Sequence, residues 1–400
     1  MKDRIKIILF LVVFLSLIIG LPILGVYLAG KPVARYLEFP PLTHYVEHAE
    51  FSWIAFILLA VFIIAVISPF IIKVLASQHI SSCPDIVPVL PNTDTPVFPW
   101  WGWIGLVANI AAWILAWNRF KWFSTCQQFT FSPLWFSYIL VVNALTFRIS
   151  GKCMMTHRSR FFLWLFPVSA VFWWFFEYLN RFVQNWYYVG IGNLTSWQYF
   201  VFATLPFSTV LPAVLGTAEL LACFPKTTAG LESFVRINVQ RTATFAWVGL
   251  IVASIGLAGI GIWPDYLFPL LWVSPLLVVA CLQAIAGEET IFSGIRRGDW
   301  RDVFRMALAA LICGFFWEMW NIKSQAKWIY TVPFVNRFKI FEMSILGYAG
   351  YLPFGLECAA IGAIVQRLVG CADSAGLSHA NVMKRVSILV TMFITLCFGE

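Results

Sequence analysis

The sequence predicts an all-α, polytopic transmembrane bundle of ten or eleven helices built from two parallel four-helix repeats. Three observations lead there. Hydrophobic residues make up 60% of the chain and charged residues only 12%. Apolar runs without charge recur along its length, each close to the roughly 20 residues needed to cross about 30 Å of hydrocarbon. One order of residues then occurs twice. A soluble protein is excluded, because in water such runs would expose far more apolar surface than a monomer tolerates.

Taken in order, the predicted spans are 5–29, 52–76, 100–117, 131–147, 161–178, 199–223, 243–263, 266–286, 303–320 and 343–366, with 386–399 as the candidate eleventh. The opening run "IKIILFLVVFLSLIIGLPILGVYLAG" follows a basic start as a signal peptide would. Its apolar stretch outruns the 7–15 residues of an h-region, so it reads as a retained first helix. With the second span it forms an N-terminal hairpin, 1–76. Residues 77–99 follow as a proline-rich, extended linker, "SSCPDIVPVLPNTDTPVFP" in its main part.

The repeats are 100–225 and 243–368, ahead of a tail, 369–400. "PLWFSYILVVNAL" near residue 135 returns as "LLWVSPLLVVACL" near 272, and Trp103-Ile104-Gly105-Leu106 returns as Trp247-Val248-Gly249-Leu250. Phe175, Glu177 and Asn180 match Phe316, Glu318 and Asn321, and Leu211-Pro212 matches Leu352-Pro353 in the same register. A Trp-x-Tyr element, Trp186 to Tyr188 and Trp328 to Tyr330, is displaced by one residue. Each copy holds four spans, and an even number returns the chain to the same side. The copies should therefore share orientation about an axis along the membrane normal.

A cytoplasmic N-terminus places most of the 27 Lys and Arg on the inner side, which predicts a bacterial inner (plasma) membrane protein obeying the positive-inside rule. The net charge of +8 then reflects loops near anionic lipid, and no nucleic-acid partner is expected. Nine cysteines form no Cys-x-x-Cys pair, and Cys223, Cys281, Cys313, Cys358 and Cys397 lie in or beside predicted helices as small packing residues. His44-Tyr45-Val46-Glu47-His48 spells the H-x-x-E-H pattern of zinc peptidases. In a short proline-flanked loop without an evident third ligand, it reads instead as a solvated acidic loop. No Walker loop, dinucleotide fingerprint or nucleophile elbow occurs, and no cofactor is expected.

The candidate site rests on Glu-x-x-Asn. At helical spacing Glu177 and Asn180 share a face, as do Glu318 and Asn321. A carboxylate deep in a membrane costs about 2.5–3.5 kcal/mol, so two symmetric ones suggest use. If the faces meet, the acids could keep one proton between them as a carrier or general acid, or could hold a cation with the Asn amides. The alternative is structural, with Glu reaching headgroup water and Asn capping the last helical turn. Glu219, Asp265, Glu342 and Glu357 also lie in apolar surroundings, and both copies keep an acid after Leu-Pro. Trp186, Tyr188, Trp328 and Tyr330 read either as an interfacial aromatic belt or as the mouth of a cavity. In the second case Arg181, Lys323 and Lys327 stand at its rim to meet an anionic headgroup.

Acid-x-x-Asn, Trp-x-Tyr, then Leu-Pro leading to an acid, over 173–219 and 314–357, resembles the small membrane domains of heterodimeric lycopene (carotenoid) cyclases. The chain departs from them in having four spans per repeat and no Pro-x-Glu-Glu. The resemblance implies a general-acid role for Glu177, Glu318 and Glu357. As a whole the chain looks like polytopic bacterial inner-membrane proteins. Three functions follow as expectations: a lipid- or isoprenoid-binding protein or enzyme, a proton- or cation-coupled transporter, or a subunit of a larger membrane complex. The expected partners are membrane lipids, a hydrophobic small molecule and, in the third case, other subunits.

Overall fold

The computed structural model describes residues 2–80 and 96–373; most of the proline-rich linker and the candidate span at 386–399 lie outside them. The helices are α1 (Lys2–Leu28), α2 (Trp53–Ile80), α3 (Trp100–Trp117), α4 (Phe131–Ser150), α5 (Met154–His157) and α6 (Ser159–Val183). Strand β1 (Trp186–Val189) leads to α7 (Ser196–Phe207), α8 (Val210–Ala222), α9 (Thr242–Ile262), α10 (Pro264–Leu267), α11 (Leu270–Ile285) and α12 (Arg301–Lys323). Strands β2 (Lys327–Tyr330), β3 (Lys339–Ile340) and β4 (Met343–Ser344) precede α13 (Tyr351–Asp373). Among the described residues nine segments are long and apolar enough to span a membrane, and α11 is a shorter apolar helix. The chain is thus an all-α, membrane-spanning bundle.

Local chemistry explains where the helices depart from the predicted spans. The run 199–223 breaks into α7 and α8 because Pro212 has no N–H to give the carbonyl four residues back, that of Ser208. Ser169 on α6 bridges the break: its hydroxyl donates to the Phe207 carbonyl (2.6 Å) and accepts from the Leu211 amide (3.0 Å). The span at 266–286 shortens to α11 because Pro264 and Pro269 favour starting positions and divide the segment into two helices. α6 ends where Gln184 enters the left-handed region, φ 53°.

The two aligned blocks pack by one scheme. α3 lies on α4 and α9 on α11; α4 meets α8 and α11 meets α13; α6 meets α8 and α12 meets α13. Across the blocks, α12 packs on α8 and α6 on α13, so the halves interlock. Small residues allow the closest approaches. A Cβ at Gly105 would stand 2.9 Å from that of Leu140, and one at Gly249 2.8 Å from the Cys281 sulfur.

The first two helices do not make the expected hairpin. α1 packs on α9 and α11, where a Cβ at Gly25 would collide with the Ala258 carbonyl. α2 instead lies along the turns Pro225–Thr228, Leu231–Ser233 and Ile345–Gly350, with its apolar surface turned outward.

Candidate functional site

β1 and β2 pair antiparallel, with Trp186 opposite Tyr330, Tyr187 opposite Ile329 and Tyr188 opposite Trp328. Alternate residues of a strand share a face, so Trp186, Tyr188, Trp328 and Tyr330 point together into the bundle. They roof a cavity whose space, counted out through its open mouth, is about 910 Å³, walled by Trp173, Tyr199, Phe207, Trp272, Trp317 and Tyr351, with Gln128 and Lys327 also on its lining. Outside the roof, the segment around residues 38–50 closes over the ribbon, and Tyr45 meets Tyr187 edge to face.

Glu177 and Glu318 stand behind the two sides of this cavity, both fully buried. Glu177 Oε1 accepts from Tyr188 Oη (2.5 Å), Trp173 Nε1 (3.0 Å) and Trp186 Nε1 (3.2 Å), and the same indole reaches Oε2 at 3.3 Å. Glu318 Oε1 accepts from Tyr351 Oη (2.8 Å) and Tyr330 Oη (2.9 Å), while Oε2 has no partner. Trp328 turns its Nε1–H to Tyr330 Oη (2.9 Å), so the hydroxyl relays that donor to the acid. The rings of Trp173 and Trp317 lie 6.3 Å apart between the two nests. Burial, then the adjoining carboxyls, push the Tyr188 and Tyr330 hydroxyls well above the usual phenol value, which keeps both as donors.

This arrangement differs from the structural alternative of headgroup contact: neither acid reaches water at a helix end. Nor do the asparagines cap their helices. Asn180 lies within α6 and Asn321 within α12, three and two residues before the ends. Asn180 Nδ2 donates to the Trp186 carbonyl (2.7 Å) and Thr43 Oγ1 (3.1 Å), and its Oδ1 accepts from the amides of Asn185 (2.8 Å) and Trp186 (3.3 Å). Asn321 holds the Trp328 carbonyl (2.8 Å) and amide (3.0 Å) in the same way. The motif therefore has a division of labour. Asn fixes the backbone of the strand's Trp, and Glu accepts from the side chains that strand presents. Both asparagines are buried and off the cavity lining, so direct substrate binding by them is not what the structure provides.

Arg181 also leaves the rim. Its Nη2 donates to the carbonyls of Glu38 and Pro40, the latter at 2.8 Å, so it anchors the covering segment. Lys327 does line the cavity, but its ammonium is paired with Glu342 Oε1 at 2.6 Å. Lys323 lies over the Trp117 ring, 5.1 Å from its centroid. Glu219 receives the Met154 amide (2.7 Å) and Arg158 (3.2 Å), holding the entry to α6. Glu357 lines a different, apolar cavity and is not brought to the other two acids.

Residues 44–48 are not helical, so His44 and His48 share no helix face. His48 braces the covering segment instead, through Asp265 (2.8 Å) and the Gln184 carbonyl (3.0 Å). Among the described residues no group of three His, Cys, Asp or Glu could hold a metal ion.

Sequence reasoning missed Trp173 and Tyr351 as partners of the acids. Trp173 precedes Glu177 by one helical turn, a readable signal. Tyr351 was signalled only by its place beside the repeated Leu352-Pro353. In the register that aligns the two acids, Gly314 takes the place of Trp173 and Tyr351 that of Val210. A Cβ at Gly314 would collide with the Tyr351 ring, so the missing side chain in the second block makes room for the donor that replaces it.

Comparison with family models, with curated proteins and with solved structures finds no match for this chain.

Proposed function

We propose that the protein binds a lipid- or isoprenoid-like molecule in the aromatic cavity, with Tyr330 and Tyr351 on its wall reading the polar end and Glu318 behind them acting through their hydroxyls. One observation carries the reading: an aromatic-lined cavity whose indole and phenol donors are turned back onto two buried carboxyls, one of which keeps a free oxygen. Aromatic walls suit a long apolar ligand, and the few polar groups behind them fix its orientation. Acid catalysis, as the cyclase resemblance implies, would draw on Glu318 and its tyrosines. On the same reading, residues 100–225 and 243–368 are two copies of one unit that together make the site, and the N-terminus is cytoplasmic.

Native mass spectrometry of the full chain in mild detergent tests this. A retained lipid-like adduct is expected, weakened in Trp186→Ala and Trp272→Ala. A chain that carries no such adduct and takes up none from added isoprenoid alcohol or phospholipid overturns the proposal.

A conduit is the second reading, and it too has a specific support. A second, more open cavity, of about 960 Å³ counted out through its mouth, uses the opposite ends of the same helices: Phe161 of α6, Glu219 of α8, Asp302 of α12 and Gln366 of α13. Between the two cavities Tyr138 Oη meets Thr217 Oγ1 at 2.9 Å, and Thr217 meets the Cys313 sulfur at 3.4 Å, a buried polar step. Proton uptake by liposomes containing the protein, lost in Glu318→Gln, would favour this reading over the first.

A further inference from the structure

Glu357 sits apart from the aromatic cavity. The residue is 2% exposed and neither carboxyl oxygen meets a partner; the main chain of Leu276 lies beside it outside hydrogen-bond geometry. It lines a slot between α1 and α6, floored by α11 and α13, whose space including its open mouth is about 510 Å³. All other lining residues are apolar: among them Phe14, Ile18, Phe172, Phe175 and Val279. Leu15, Val168, Val171 and Ile361 are partly exposed and form its mouth on the side of the bundle.

An unpaired buried carboxyl costs several kcal/mol, so the slot is unfinished. Water completes it poorly, because a buried water needs two to four polar partners and Glu357 is the only polar side chain on the lining. An amine would need two opposite charges in apolar surroundings, where desolvation is expensive. A neutral hydroxyl fits both constraints: it accepts from the protonated oxygen and donates to the other, while its alkyl chain fills the slot. Folding alone does not explain the acid, since the aligned position of the first block is Gly216, which has no side chain at all.

We infer that the slot between α1 and α6 is a lateral binding site for an uncharged, hydroxyl-headed amphiphile, a long-chain alcohol in chemical class, with Glu357 as its polar anchor. This site stands whether or not the aromatic cavity binds lipid.

The test uses the full chain in phosphatidylcholine nanodiscs, whose headgroups carry no hydroxyl. The probe is dicyclohexylcarbodiimide, an apolar reagent that takes up a carboxyl proton on nitrogen as the oxygen bonds its central carbon. The acyl group then migrates to nitrogen, leaving a stable N-acylurea with no leaving group. Peptide mass spectrometry is expected to find the adduct at Glu357. Hexadecan-1-ol should slow its formation at least several-fold, while hexadecane should not. Glu357→Gln should lose that adduct alone. Because the protection is measured on the unaltered chain, poor folding of the variant would not blur the outcome. Equal protection by hexadecane would mean that the slot takes any chain and would overturn the hydroxyl anchor. No adduct at Glu357, or no protection by the alcohol, would overturn the site.

Discussion

The two acid nests occupy aligned positions and differ in how completely they are satisfied. Glu177 takes three donors and has both oxygens engaged; Glu318 takes two tyrosines on one oxygen and leaves the other bare. Trp173 and Tyr351 supply equivalent donors to one oxygen of each acid, and the difference comes from the strand: Trp186 gives its indole N–H to Glu177 and reaches Oε2, whereas Trp328 gives its own to Tyr330 Oη. A nest with both oxygens engaged is built to hold its shape, and one with a bare oxygen has an acceptor to spare. A folding device would need to be complete in both blocks, so the incompleteness of the second is the informative feature.

The asparagines should show the largest difference between the two nests. Asn180→Ala leaves the amides of Asn185 and Trp186 and a carbonyl unpaired in a buried place, and should cost on the order of 3 kcal/mol or more. Asn321→Ala strands only the Trp328 pair and should cost about half as much. Thermal unfolding in nanodiscs checks the order; equal losses would remove the asymmetry.

Next comes the exchange of Trp173 and Val210 for Gly314 and Tyr351. Gly314→Trp should collide with Tyr351 and destabilise by about 1–3 kcal/mol. Combining it with Tyr351→Val recreates the first block's arrangement and should recover part of the loss, with a coupling of about 0.5–3 kcal/mol. Purely additive losses in the unfolding midpoints would show that the two positions do not compensate.

The acids should then separate stability from function. In Glu177→Gln the amide nitrogen faces donors, at about 1–2 kcal/mol. Glu318→Gln can keep its oxygen toward both tyrosines, so its stability should change by less than about 1 kcal/mol while ligand retention falls. A Glu318→Gln protein that unfolds early and still holds its adduct would reverse the roles assigned here.

The smallest effect concerns the helix entries. α6 is held by Glu219 from a distant helix, whereas α12 is held by Asp299, which accepts from the Arg301 amide at 3.1 Å and pairs with its guanidinium at 2.7 and 2.9 Å. The Arg301 hydrogen bond lowers the Asp299 carboxyl below its usual value. A depressed acid contributes stability above its unfolded pKa and loses it as pH falls through the folded one. Acidification below about pH 4 should therefore cost the native chain slightly more than Asp299→Asn, by less than about 1 kcal/mol, because the pair is solvent-screened. Identical acid-side curves for the two proteins would discard that contribution.

Much of the scaffold was legible because spanning a bilayer imposes long uncharged runs, and residues 100–117 came out at their observed limits. Breaks that depend on a neighbour were not: the division between α7 and α8 needs Ser169 of another helix to satisfy it. In the site, the spacing of Glu and Asn named the acids, but a shared helix face says nothing of what lies opposite. The strand that Asn180 holds is four residues long and reads as an aromatic belt, and Arg181 reads as a rim cation until the fold brings residues 38–40 beneath it.

The ribbon of β1 and β2 carries one more implication. It is a seam: each strand belongs to a different half and finds its hydrogen-bonding edge only in the other. On the duplication proposed above, half a chain would be left with a raw edge and an open hollow, and its nearest remedy would be a twin. A gene cut between residues 225 and 243 should accordingly yield two fragments that rejoin in the membrane, and the tandem form reads as a dimer made permanent by fusion.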